Sequence, residues 1–90
     1  MSDGDLRAQL ERYRAIGSGS TGRRASPMSV ELVVGRAVPD GLVEQAVATE
    51  RSCCPFFELE WDAGSRRLAV VVLRDADVPA LDVIAFALNI

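Results

Sequence analysis

The sequence contains no histidine and no lysine; all ten of its basic residues are arginine. Imidazole acid–base catalysis, histidine metal ligands, lysine Schiff bases and the lysine of phosphate-binding loops are therefore excluded. Any catalysis must draw on Cys, Ser, Thr, Tyr, Asp, Glu, backbone groups or a cofactor. Long hydrophobic runs are missing as well. None approaches the ~20 residues that cross a bilayer, so no membrane partner is expected. The acidic opening Met1-Ser2-Asp3-Gly4-Asp5 leads into no apolar stretch and does not read as a secretory signal. The expected location is cytoplasmic. The arginines form no basic stripe, and 13 acidic residues give a net charge of −3. Nucleic-acid affinity rests on neutralising phosphates, so no nucleic-acid partner is expected. Two cysteines in a reducing compartment read as thiols. As neighbours in sequence, they could bond to each other only by closing a small, strained ring.

What is present fits one α+β domain over residues 1–90, with 49% hydrophobic residues. Leu6, Leu10, Tyr13 and Ile16 recur at helical spacing. A capping signal at Ser2 and Asp5 opens this helix over residues 5–16, and Gly17 ends it. Residues 17–26 are Gly/Ser-rich and read as a flexible connector. Met28, Val30, Leu32 and Val34 alternate with Ser29, Glu31 and Val33, which predicts a strand ending at Gly35. Asp40 caps a second helix with Leu42, Val43, Ala46 and Val47 on its apolar side; Pro55 stops it. Phe57, Leu59 and Trp61 alternate with Glu58, Glu60 and Asp62, and a two-residue turn at Ala63-Gly64 leads into Arg67–Leu73. That turn sets Leu59 opposite Leu68, Phe57 opposite Val70 and Glu60 opposite Arg67. Asp75 or Asp77 caps a last helix over residues 78–90. Leu81, Ile84, Ala85 and Leu88 share one side, while Val83, Phe86 and Ala87 lie on others, so this helix is either central or meets a partner chain. The predicted order is α-β-α-β-β-α, a three-stranded, mainly antiparallel sheet with helices on one face. A chain this small exposes much surface, and a homodimer through the C-terminal helix or the open sheet face is expected.

Gly17-x-Gly19-x-x-Gly22 matches the dinucleotide-binding fingerprint in form. The fingerprint needs a strand before it and a helix after it, and here the order is reversed. A solvated linker is the expected reading, with Arg23 and Arg24 leaving room for weak anion binding. The sharpest local feature is Cys53-Cys54-Pro55. Adjacent thiols can hold Zn, Cu(I) or a thiophilic metalloid, or serve in redox chemistry. A closed tetrahedral site needs cysteines from a second subunit, or Glu50 as an oxygen ligand. Free cysteines also serve as small core hydrophobes. A helix C-terminus disfavours thiolate, as does Glu50 one turn earlier; Arg51 is the one nearby counterweight. Positions 43, 47, 50 and 54 share a row of the second helix, as do 46, 50 and 53. Glu50 thus points toward the core, where a charge needs a partner. Arg12 and Arg14 of the first helix are the expected partners, in an ion pair that docks the two helices.

Glu50-Arg51-Ser52-Cys53-Cys54-Pro55-Phe56-Phe57 resembles small uncharacterised bacterial proteins with the pattern E-x-x-C-C-P-F followed by alternating apolar residues. The resemblance extends to Arg12-Tyr13-Arg14 and the hairpin, over about residues 5–75. It implies an association with metal- or metalloid-responsive genes and points to Glu50, Cys53, Cys54 and Phe56. The apolar end, Val83–Ile90, departs from that pattern and suggests an oligomeric role. Three functions follow as expectations. The first is a thiol-bearing module that binds a soft metal or metalloid through Cys53 and Cys54, with Glu50 as auxiliary. The second is a non-catalytic interaction or dimerisation domain with the cysteines as packing. The third is a small thiol redox protein. Enzymatic activity is not expected.

Overall fold

Apolar alternation builds most of the sheet, but one strand forms without it. The computed structural model describes residues 3–90; the Ser2 part of the capping signal lies outside them. Helix α1 spans Asp3–Ser18, and strands β1 and β2 span Thr21–Ser26 and Ser29–Val33. Helix α2 runs Asp40–Cys53, followed by β3 (Phe57–Asp62) and β4 (Arg67–Val72). A single 3-10 turn, Asp75–Asp77, leads into α3, Val78–Ala87. The order is therefore α-β-β-α-β-β-α. The sheet has four strands in the order β1-β2-β4-β3, every neighbouring pair antiparallel.

The extra strand is the stretch expected to be a flexible connector. β1 buries none of its six residues, so no hydrophobic pattern betrays it. Its backbone pairs with β2, Thr21 against Val33 through Arg24 against Val30, with an irregularity before Ser26. A backbone ladder needs no particular side chains, and this explains why composition missed it. The glycines here serve packing. A Cβ on Gly17 would stand 2.3 Å from the Leu88 carbonyl oxygen, and one on Gly22 would stand 2.4 Å from Leu32 and 2.7 Å from Ile90. The fingerprint-like spacing thus marks where α3 and the chain end close on α1 and β1.

The β3–β4 hairpin forms, but two residues out of the expected register. Phe57 pairs with Val72, Leu59 with Val70 and Trp61 with Leu68; Asp62 faces Arg67, and Glu60 faces Ala69. The turn takes four residues instead of two. Asp62 Oδ1 accepts from the Gly64 and Ser65 amides at 2.9 and 3.4 Å, and Arg66 adopts φ 57°. A slip of two keeps every side chain on its expected face. Arg66 fixes this conformation by donating to the carbonyls of Val34, Gly35 and Val38 and by pairing with Asp40. Asp40 is thereby the first residue of α2 and not its side-chain cap; Pro39 holds the capping position.

The core lies between the sheet and the three helices. Val30, Leu32, Phe57, Leu59, Leu68, Val70 and Val72 meet Tyr13, Ile16, Val43, Val47, Leu81 and Ile84. α1 packs against both α2 and α3. Gln9, Tyr13 and Ile16 form its buried side, whereas Leu6 is exposed. α3 is not central: Val83 and Phe86 face solvent. Asp77 makes no cap bond and pairs with Arg74. The other sheet face carries no helix. Among the described residues, no helix is long and apolar enough to cross a membrane.

Candidate functional site

The row of α2 that holds Val43, Ala46 and Val47 also buries Glu50, which is 4% exposed. A carboxylate so placed requires donors. α1 supplies them from positions 9 and 13, one turn apart and both facing α2. The Tyr13 hydroxyl donates to Glu50 Oε1 at 2.6 Å. Gln9 Nε2 donates to the Ala46 carbonyl at 2.8 Å and reaches the same Glu50 oxygen at 3.5 Å. The expected ion pair with Arg12 or Arg14 is therefore replaced by neutral donors. Residues 12 and 14 flank the inward line of α1 instead of lying on it. Arg12 acts one step removed, donating to Gln9 Oε1 at 2.8 Å; Arg14 is exposed beside Leu6 and Leu10.

This network governs two ionisable neighbours. The Tyr13 hydroxyl is pushed above its usual range, first by burial and then by the Glu50 charge. The Cys54 thiol is pushed up to about 11, first by burial and then by the neighbouring Glu50 carboxylate. The two cysteines are consequently unlike: Cys53 is exposed, and Cys54 is half-buried against the core.

Local backbone geometry explains the split. The Cys54 amide donates to the Glu50 carbonyl at 2.8 Å, closing the last turn of α2. The Cys54 carbonyl accepts from the Phe57 amide at 3.1 Å, so Pro55 and Phe56 form a tight passage into β3. Phe57 is buried, and Phe56 stacks beside it with centroids 4.7 Å apart. Arg51 does not serve the thiols as expected. It donates to the Leu59 carbonyl at 2.6 Å, occupying the free edge of β3.

Of the sequence-predicted residues, Glu50 and Cys54 are neighbours at the end of α2, and Cys53 is exposed beside them. Even so, no group of three His, Cys, Asp or Glu side chains is arranged to hold a metal ion among the described residues. The two thiols are adjacent in sequence, one open to solvent and one beside the Glu50 carboxylate. Sequence reading missed Gln9 as a donor and took Tyr13 only as part of an apolar stripe. Their shared spacing with the Ala46–Glu50 line was the available signal. In comparisons with known proteins, the chain matches no family model, no curated protein and no solved structure.

Proposed function

We propose that the chain is a thiol-bearing module that captures a soft ion, Cu(I) or a trivalent metalloid, through Cys53 and Cys54. The supporting observation is the asymmetry of the pair: an open thiol next to one that faces a buried carboxylate. Cu(I) is satisfied by two sulfurs, and a trivalent metalloid by two sulfurs and one retained oxygen. Zn prefers four tetrahedral ligands and would require cysteines from a second chain. With Cu(I), capture replaces two S–H bonds with two S–Cu bonds and frees two protons; with arsenite, each thiol proton leaves with a displaced hydroxide as water, and the arsenic keeps one oxygen. The Cys53 proton leaves to solvent. The Cys54 proton leaves past Glu50, whose carboxylate keeps Tyr13 and Gln9 as partners. Glu50 is thus an auxiliary that tunes Cys54.

Native mass spectrometry of the reduced protein with equimolar Cu(I) or arsenite tests it. One ion bound by the wild type and none by Cys53→Ser/Cys54→Ser is the expected result. An ion-free wild type, or equal loading of the double variant, overturns it. A second reading, an interaction domain with the cysteines as packing, is favoured by the contact of Cys54 with the core. It expects Cys53→Ala/Cys54→Ala to fold and assemble unchanged.

A further inference from the structure

The face of the sheet that no helix covers carries an ordered arrangement of charge. Strand register sets Glu60, Ala69, Glu31 and Arg23 in one row across all four strands. Outward positions on β3 are acidic, with Glu58, Glu60 and Asp62. The opposite edge presents Arg23, whose side chain is 74% exposed and whose contact with Glu31 is long at 3.4 Å. Glu58 and Glu60 have no ion-pair partner within the chain among the described residues. Between these edges lie Val33, 52% exposed, the half-buried Ala69 and Val71, and the exposed Arg67 opposite Asp62, with Arg51 at the rim near Glu60. A shallow depression of about 980 Å³ runs over this surface.

We infer that this face binds a second copy of the chain, sheet against sheet, about a two-fold axis parallel to the strands and midway between β2 and β4. That axis lays β3 over the partner's β1. The Glu60–Ala69–Glu31–Arg23 row then meets itself reversed, so Glu60 stands over the partner's Arg23 at two equivalent places. Each Ala69 stands over the partner's Glu31, which keeps its own pair with Arg23, and the small side chain lets the sheets approach to the ~10 Å of aligned sheet packing. The alternative axis, perpendicular to the strands, lays β3 on β3 and sets Glu58 and Glu60 against their own copies, a repulsive arrangement. Charge at the two edges therefore favours a second copy in the strand-parallel orientation. The footprint is roughly 20 by 20 Å. At about 800 Å² over both copies it falls below the range of stable dimers, so the association is expected to be weak and transient, with a Kd of about 100 μM. This inference is independent of the thiols.

Sedimentation velocity on the full chain, from about 1 to 500 μM, reads the assembly across that Kd range. The wild type is expected to shift from monomer to dimer. Glu60→Arg and Arg23→Glu should each weaken dimerisation about tenfold or more. The double swap Glu60→Arg/Arg23→Glu should restore it, which also shows that the single variants were folded. A wild type that stays monomeric throughout overturns the inference. So does a dimer indifferent to both single changes, or a double swap that fails to restore it. A dimer that Phe86→Glu abolishes while the single charge changes leave it intact assigns the interface to α3 and likewise overturns it.

Discussion

β1 and β3 occupy the same position in the two halves of the molecule: each follows a helix, runs along a sheet edge and leads into an inner strand. They are held by different forces. β3 buries Phe57 and Leu59 and half-buries Trp61, and Arg51 closes its free edge. β1 buries nothing of its own. It is held by its ladder to β2, by Ile90 lying against Gly22, and by the Arg24–Asp82 ion pair at 2.7 Å. A strand can therefore be specified by its own side chains or by what its neighbours offer its backbone, and only the first kind announces itself in a sequence.

Truncation should separate the two edges most sharply. Leu59→Ala is expected to cost about 3 kcal/mol in urea unfolding, the range for a buried leucine. A loss no larger than that from a β1 substitution would erase the distinction. The seam between the halves comes next. Tyr13→Phe removes the short bond to Glu50 and is expected to cost about 2 kcal/mol, as a hydrogen bond to a charged group does. It should also alter the alkaline limb of stability. Cys54 and Tyr13 are both held above their usual values near 9.0 and 10.0. Each holds its proton more tightly folded than unfolded. Their contribution is therefore complete below about pH 9 and lost as pH rises toward 11 and beyond. Tyr13→Phe should flatten that fall; an unchanged slope would remove Tyr13 from the account.

Smaller effects are expected in β1. Gly22→Ala should cost about 1 kcal/mol, because the flexible ends of Leu32 and Ile90 must give way. Arg23→Ala should change monomer stability by less than about 0.5 kcal/mol, since its pair with Glu31 is exposed. Both are measured by thermal unfolding at concentrations below assembly. A larger loss at Arg23 than at Gly22 would mean that side chains, not the ladder, hold this edge.

What could be read from the sequence follows the same division. Helix α2, the β2 pattern and both faces of the hairpin were legible because burial forces periods of 3.6 and 2. β1 was not, because Thr21–Ser26 is exposed along its whole length and carries no apolar alternation. The hairpin register escaped because the turn depends on Arg66 entering a left-handed conformation, stabilised by carbonyls about thirty residues earlier in the chain. At the site, the inward placement of Glu50 was legible from spacing. Its partner was not. Arginines drew attention because a carboxylate invites a cation, yet position on the helix decides contact. Tyr13, between the two arginines, is the residue that faces it.

The account rests on the two neighbouring thiols being chemically unequal because one answers to Glu50. Alkylation with limiting iodoacetamide, followed by peptide mass mapping from pH 7 to about 11, measures this directly. Cys53 should be modified first at every pH, with Cys54 lagging until the pH nears 11; Glu50→Gln should shorten that lag. Equal rates at the two positions, or a lag untouched by Glu50→Gln, would contradict it.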